Sequence, residues 1–215
     1  MFLFNLKGGT YCLDVEEQEK ILFELLNQKE LNNISKYTGV IYKIINNILK
    51  SKEKDIYCPK NIEDIINTIN TAFDKLPHFK AKKQFILYRG LEFTKEDYDK
   101  FITLDKIYDF GFISTSTSIE TAKDFSKTND SNYGVVMKIY FSKDFENKIL
   151  PLKSISENER ENEVLLPNGS TFLWIEDKNF KDEKFKTESG KNRIIRSYLY
   201  IPPNKNIKEI NSQKK

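Results

Sequence analysis

Residues 161–172 read Glu161-Asn162-Glu163-Val164-Leu165-Leu166-Pro167-Asn168-Gly169-Ser170-Thr171-Phe172. A short apolar run, a tight-turn composition and a second apolar run predict two strands joined by a turn. Two carboxylates stand at the mouth of the first strand. In extended backbone, residues i and i+2 share a face, roughly 6.5 Å apart. Paired acids where a strand usually places apolar groups carry an electrostatic cost unless a cation comes between them. The ordinary alternative is a solvated loop, because Glu157-Asn158-Glu159-Arg160 precedes the pair and charge runs usually face water. The immediate passage into Val164-Leu165-Leu166 sets Glu163 at the edge of the core.

Two further polar islands sit on strand-like segments upstream. The run Gln84 to Tyr88 leads into Arg89-Gly90. A guanidinium at a strand end can grip a phosphate or carboxylate through a planar fork, and a glycine lets a ligand approach the backbone; a surface arginine before a turn fits as well. Phe110 to Ser116 reads as extended and carries Ser114-Thr115-Ser116, with Ser114 and Ser116 on one face. These hydroxyls can orient a carboxylate or a ligand, or belong to a helix N-terminus, for which Ser118 is the natural cap. The helix after Ser118 holds Ala122 and Phe125. Phe125 and Tyr42 are the aromatic candidates for stacking on a flat ligand, although such residues more often belong to a core.

Working outward, Val135 to Phe141 and Asn192 to Ile201 read as further strands, and Thr94 caps a short helix containing Tyr98, Phe101 and Ile102. Before residue 80 the apolar period is helical. Ile21, Leu22, Leu25 and Leu26 follow Asp14 as a cap. Ile41, Ile44, Ile45 and Ile48 form a second face. Ile62, Ile65, Ile66, Ile69 and Phe73 form a third behind Asn61 as a cap, ending at Pro77. Helices first and strands later indicate an α+β fold. We expect one domain over residues 1–203, helical over 1–80 and β-rich over 81–203, with a polar tail at 204–215.

Bulk properties exclude several functions. The 215 residues carry 35 basic and 32 acidic side chains, a formal charge of +3. That balance gives no strong push toward nucleic acid or a membrane surface. His78 is the sole histidine, and Cys12 and Cys58 have no metal-ligand spacing, so we expect no metal site, and a Ser-His-Asp triad would depend on His78 alone. No P-loop or dinucleotide-binding glycine motif is present. The opening Met1-Phe2-Leu3-Phe4 is apolar too briefly for a signal peptide.

Taken in order, the three islands resemble the arginine, Ser-Thr-Ser and Glu-x-Glu strands of the mono-ADP-ribosyltransferases, a class that includes actin-modifying bacterial toxins and phage enzymes. Upstream, Tyr37-Thr38-Gly39-Val40-Ile41-Tyr42-Lys43-Ile44-Ile45-Asn46 is similar to the helix that precedes the site in the toxin branch. The resemblance runs from Tyr37 to Ile201. It implies the ADP-ribosyltransferase fold, with N-terminal helices packed on a two-sheet, mostly antiparallel β core around an NAD cleft. It implies NAD as substrate, and as partner a target protein bearing an acceptor arginine, actin or another host protein, the enzyme acting as a monomer.

Residue by residue, the resemblance gives Arg89 an NAD phosphate and Gly90 a backbone contact to the nicotinamide amide. It makes Ser114 the residue that positions the catalytic glutamate and the nicotinamide side, and it counts Ser114, Thr115 and Ser116 among the NAD-binding residues. Phe125 falls against the nicotinamide ring, and Tyr42 near the phosphates or the adenine-side ribose. Glu163 is the catalytic glutamate and Glu161 selects the acceptor. Two departures stand out. The toxins place an arginine shortly after the stacking aromatic, whereas Ser126, Lys127 and Thr128 follow Phe125, leaving Lys127 as the charge nearby. The turn over Ser154 to Arg160 lacks the exposed aromatic often used for target recognition. An NAD glycohydrolase and a catalytically silent binding module with the same fold are the competing expectations.

Overall fold

The computed structural model describes residues 15–51, 58–79, 85–127, 133–142, 147–157, 159–177, 179–188 and 190–203. Asp14, Cys12, Gln84, Thr128 and the expected tail at 204–215 therefore lie outside the described residues.

Helices α1 (Val15–Leu25), α2 (Gln28–Lys36), α3 (Tyr42–Lys50) and α4 (Lys60–Lys75) precede the strands. The sequence reading missed α2, although its start carries a plain signal. Asn27 and Glu30 form a reciprocal capping box, with the Glu30 amide donating to Asn27 Oδ1 at 3.0 Å and the Asn27 amide donating to Glu30 Oε2 at 2.9 Å. Such a cap contributes about 1 kcal/mol. Lys75, at the end of α4, reaches the same Glu30 at 2.6 Å. The expected cap of α4 is corrected: Pro59 is the N-cap and Asn61 lies inside the first turn, because proline presets the backbone angle a helix start requires. Between α2 and α3 the chain forms a π-helical segment, Tyr37–Ile41, in which Gly39 leaves helical angles (φ −83°, ψ −137°). This offset disturbs the simple period expected from Ile41: Ile45 is buried, while Ile44 stands half exposed.

The strands are β1 (Phe85–Phe93), β2 (Lys106–Asp109), β3 (Ile113–Ser116), β4 (Tyr133–Phe141), β5 (Leu150–Pro151), β6 (Glu163–Leu166), β7 (Ser170–Trp174), β8 (Glu183–Lys186) and β9 (Asn192–Ile201). Helix α5 (Lys95–Phe101) follows β1, and α6 (Ile119–Phe125) follows β3. Thr94 and Ser118 cap these two helices as expected, their hydroxyls accepting from the amides of Asp97 and Thr121.

Pairing runs β2-β7-β9-β4-β1-β3-β6-β5, with β8 added on β9. Every pair is antiparallel except β4–β9. The path narrows at one place: β1 and β3 share only the pair Tyr88↔Ser116. There the strands separate into two packed layers. Ile113, Val164 and Leu166 from β3 and β6 bury against Leu87, Val135, Met137, Ile139, Phe172 and Tyr200 of the larger layer. The opposite face of the small layer, Phe112 and Leu165, packs with Leu150 on Leu22, Ile34, Ile45, Ile69 and Phe73 of the helices. Each fully buried aliphatic or aromatic side chain contributes about 1.5–3 kcal/mol, so both cores are substantial. The molecule has the expected α+β class, with N-terminal helices packed on the small layer of a mixed sheet and α6 on the larger one.

The alternation that sends Ile113 and Val164 toward the larger layer sends Ser114, Ser116 and Glu163 toward the helices. That is where the site forms.

Candidate active site

One cleft of about 230 Å³ is lined by all nine residues singled out in the sequence: Tyr42, Arg89, Gly90, Ser114, Thr115, Ser116, Phe125, Glu161 and Glu163. It opens beside the narrow junction of β1 and β3. Antiparallel pairing brings the islands together, since Ser116 pairs with Glu163 and Tyr88 with Ser116.

Glu163 is the first residue of β6 and is 6% exposed. Burial pushes its carboxyl up to about 7, a hydrogen bond from Ser114 opposes that rise, Glu161 adds to it, and Arg89 opposes it. The balance is a carboxylate held in an environment that disfavours its charge. Ser114 in turn meets Tyr37, which is completely buried. Burial raises the Tyr37 phenol to about 12, so it keeps its proton and can donate it. Asn46 Nδ2 donates to the Tyr37 hydroxyl at 3.3 Å and to the Phe112 carbonyl at 3.1 Å, while Asn46 Oδ1 accepts from the Phe112 amide at 3.0 Å. A line of donors thus runs from Asn46 through Tyr37 and Ser114 to Glu163, fixed at its far end on the backbone of the strand entrance. From the sequence alone, Tyr37 has no assigned task in the stretch Tyr37 to Asn46. Its signal was a tyrosine on an apolar helix face, whose buried hydroxyl requires a partner.

Glu161 reaches the cleft by a different backbone than expected. Residues Glu159–Glu161 form a 3-10 turn, and Asn162 follows at φ 46°. The two glutamates therefore do not share a face of one extended strand. Asparagine tolerates this left-handed conformation better than most residues. It is held from both sides, its amide donating to the Glu159 carbonyl and its carbonyl accepting from the Thr117 amide, each at 3.3 Å. Ser116 completes the turn by donating its hydroxyl to the Glu161 carbonyl at 2.6 Å and accepting from the Ser118 amide at 2.9 Å. Thr115 donates to the Val164 carbonyl. In the Ser-Thr-Ser island, then, Ser114 faces Glu163, whereas the other two hydroxyls brace the backbone that carries both glutamates.

The preceding loop is tied down twice more. The Glu157 amide donates to Thr38 Oγ1 at 3.1 Å, and the Ser154 amide donates to Glu19 Oε1 at 2.7 Å. Thr38 itself lines the cleft, as do Tyr37, Tyr88, Thr121 and Ala122.

Arg89 is half-buried and donates from Nη1 to the Ser114 carbonyl at 3.2 Å. One side of its fork is anchored to β3 while its head lines the cleft. Gly90 has a firm steric reason: a Cβ there would lie 2.0 Å from the Ala122 carbonyl and 2.8 Å from Phe125 Cβ. Helix α6 lies directly on the strand, and this brings Phe125 to the cleft. Phe125 is 46% exposed and Tyr42 37% exposed, two open aromatic surfaces. Lys127, the cation expected near Phe125, instead pairs with Asp124 at 3.0 Å.

The arrangement offers a guanidinium fork, two exposed rings and two carboxylates in one opening. A dinucleotide with an anionic centre and a cationic end matches that set, and Glu163 gains most from a cation.

A family model described as ADP-ribosyltransferase exoenzyme matches residues 15–200. The NAD(+)–arginine ADP-ribosyltransferase EFV of Enterococcus faecalis is 26% identical over 137 residues, which are 63% of this chain and 27% of that protein. The chain thus spans about a quarter of that relative's length. Among solved structures, the ADP-ribosyltransferase toxin Plx2a from Paenibacillus larvae matches with a TM-score of 0.61 and 17% identity, over 86% of this chain and 92% of that one. Vis toxin, an ADP-ribosyltransferase from Vibrio splendidus, matches with a TM-score of 0.61 and 17% identity, over 87% and 79%. The ADP-ribosyltransferase HopU1 of Pseudomonas syringae matches with a TM-score of 0.59 and 15% identity, over 87% and 88%. At such identities the likeness is one of fold.

Proposed function

This chain belongs to the ADP-ribosyltransferase exoenzyme family, and on that premise we propose that it moves ADP-ribose from NAD to an arginine side chain of a target protein, releasing nicotinamide. The observation that carries the reading is the meeting of Glu161, Glu163 and Arg89 in one cleft. The Enterococcus relative, named for transfer to arginine, supports the choice of acceptor.

In this reading Arg89 grips the NAD phosphates, Gly90 offers its backbone to the carboxamide, Phe125 takes the nicotinamide ring, and Tyr42 lies toward the phosphates or the adenine-side ribose. The bond between ribose C1′ and nicotinamide breaks, its electron pair leaving with the neutral base. Positive charge builds on the ribose. Glu163 accepts a hydrogen bond from the 2′-hydroxyl and stabilises that charge, as carboxylates do in glycosidases. Losing such a preorganised group costs on the order of 3–4 kcal/mol in the barrier. An arginine guanidinium is protonated and a poor nucleophile, with a pKa above about 12. Glu161 binds it, and as its nitrogen bonds to C1′ the surplus proton passes to Glu161.

Labelled NAD with agmatine, a small arginine mimic, tests both roles. Glu163→Gln should abolish transfer and NAD hydrolysis together. Glu161→Gln should lose transfer to agmatine while retaining hydrolysis by water. Substantial transfer by the first variant, or parallel loss of both activities in a folded, NAD-binding second variant, contradicts the assignment. A wild-type protein that hydrolyses NAD without labelling agmatine or any lysate protein is a glycohydrolase.

A further inference from the structure

We propose that Arg193, on β9 and outside the cleft, is a positioning residue for Phe125, acting through the end of helix α6. The inference rests on the reading that Phe125 receives the nicotinamide end of NAD.

Arg193 is 1% exposed. Its Nε donates to the Ser126 carbonyl at 2.7 Å and its Nη1 to the Asn192 carbonyl at 3.1 Å. Ser126 is the residue after Phe125, is completely buried, and is the C-cap of α6. The last carbonyls of a helix have no partner within it, and a cation there meets both the open acceptor and the negative end of the helix dipole. Helix α6 has seven residues, too few to hold itself in place without tertiary contacts.

Those contacts grip the Phe125-Ser126 backbone from two sides. On one side is Gly90, where a Cβ would come within 2.8 Å of both Phe125 Cβ and the Ser126 nitrogen. On the other is Arg193, which crosses β4 at Gly134. A Cβ at Gly134 would lie 2.5 Å from the Ser126 carbonyl and 2.6 Å from Arg193 Nε, so the strand carries no side chain where the guanidinium passes. Glu92, paired in register with Gly134, supplies a nearby negative charge. Burying a guanidinium is costly unless its donors are placed. Here a donor is spent on the carbonyl adjoining the half-exposed Phe125, whose ring is aimed by its backbone. The cation at this helix end comes from a distant strand, β9.

The test is calorimetric titration of the full chain with NAD and with ADP-ribose, which lacks the nicotinamide. Arg193→Gln should weaken NAD binding about three- to tenfold, the range of one lost aromatic contact, and leave ADP-ribose binding within about twofold. Phe125→Ala should give the same pattern, and the two changes combined should add little beyond either. Arg193→Lys should restore most of the loss, and hydrogen exchange at the Ser126 and Lys127 amides should quicken in Arg193→Gln only. Equal weakening of both ligands, additive losses, or Arg193 variants that fail to fold while Phe125→Ala folds each overturn the proposal. A wild-type chain that binds neither ligand overturns the NAD reading itself, and this inference with it.

Discussion

Glu163→Gln should make the protein inactive and, above neutral pH, more stable. The folded state holds the Glu163 carboxyl up to about 7, against an ordinary value of 4.5. Between those values the folded chain binds a proton that the unfolded chain has released. Stability from this group is therefore complete below 4.5 and is lost as pH rises through 7. At about 1.4 kcal/mol per tenfold change, the difference corresponds to about 3 kcal/mol by pH 8.5. Glutamine keeps the shape and can still accept from Ser114, but never ionises. Urea unfolding of both proteins at pH 5 and pH 8.5 is the assay. The curves should lie within about 1 kcal/mol of each other at pH 5 and separate by about 3 kcal/mol at pH 8.5, with the variant above. A separation that is the same at both values, or a variant that is less stable at pH 8.5, refutes the argument that burial and the neighbouring Glu161 oppose the charge.

Two further outcomes follow from the same geometry. On the proposed reading Glu163 must be ionised to meet a cationic ribose, so kcat/KM for NAD should fall about tenfold per pH unit below about 7 and level off above it. A flat profile between pH 5.5 and 8 contradicts this. Gly90→Ala places a methyl group 2.0 Å from the Ala122 carbonyl, which α6 can accommodate only by moving off β1. Overpacking of this kind costs about 1–3 kcal/mol, so denaturant unfolding should show that loss together with weakened NAD binding, and an unchanged midpoint removes the steric account of this glycine.

What was legible in the sequence was local. β9 matches Asn192–Ile201 residue for residue, and Ser118 and Thr94 cap the helices they were read to cap. The three polar islands stood out because each interrupts an apolar period. The missed elements had no period to show. β5 is two residues long, β8 is the mostly exposed Glu183-Lys184-Phe185-Lys186, and β2 alternates exposed and half-buried residues at a sheet edge. Such strands exist because a neighbour offers unpaired backbone groups. The site followed the same division. Its residues were visible in the islands, but Glu161 reaches the cleft through a left-handed Asn162, and the tasks of Tyr37 and Arg193 depend on partners 77 and 67 positions away. Gly90 lines the cleft, but the close approach of the α6 backbone on its Cβ side had no local signal.

The single pair Tyr88↔Ser116 is the only register pair joining β1 to β3 among the described residues. Arg89 lies on one bank of that seam and Glu163 on the other, so a molecule gripped by both is a rivet across the joint between the two layers. The two layers share that single register pair where the cleft opens. Occupancy of the cleft would add a cross-link at that seam.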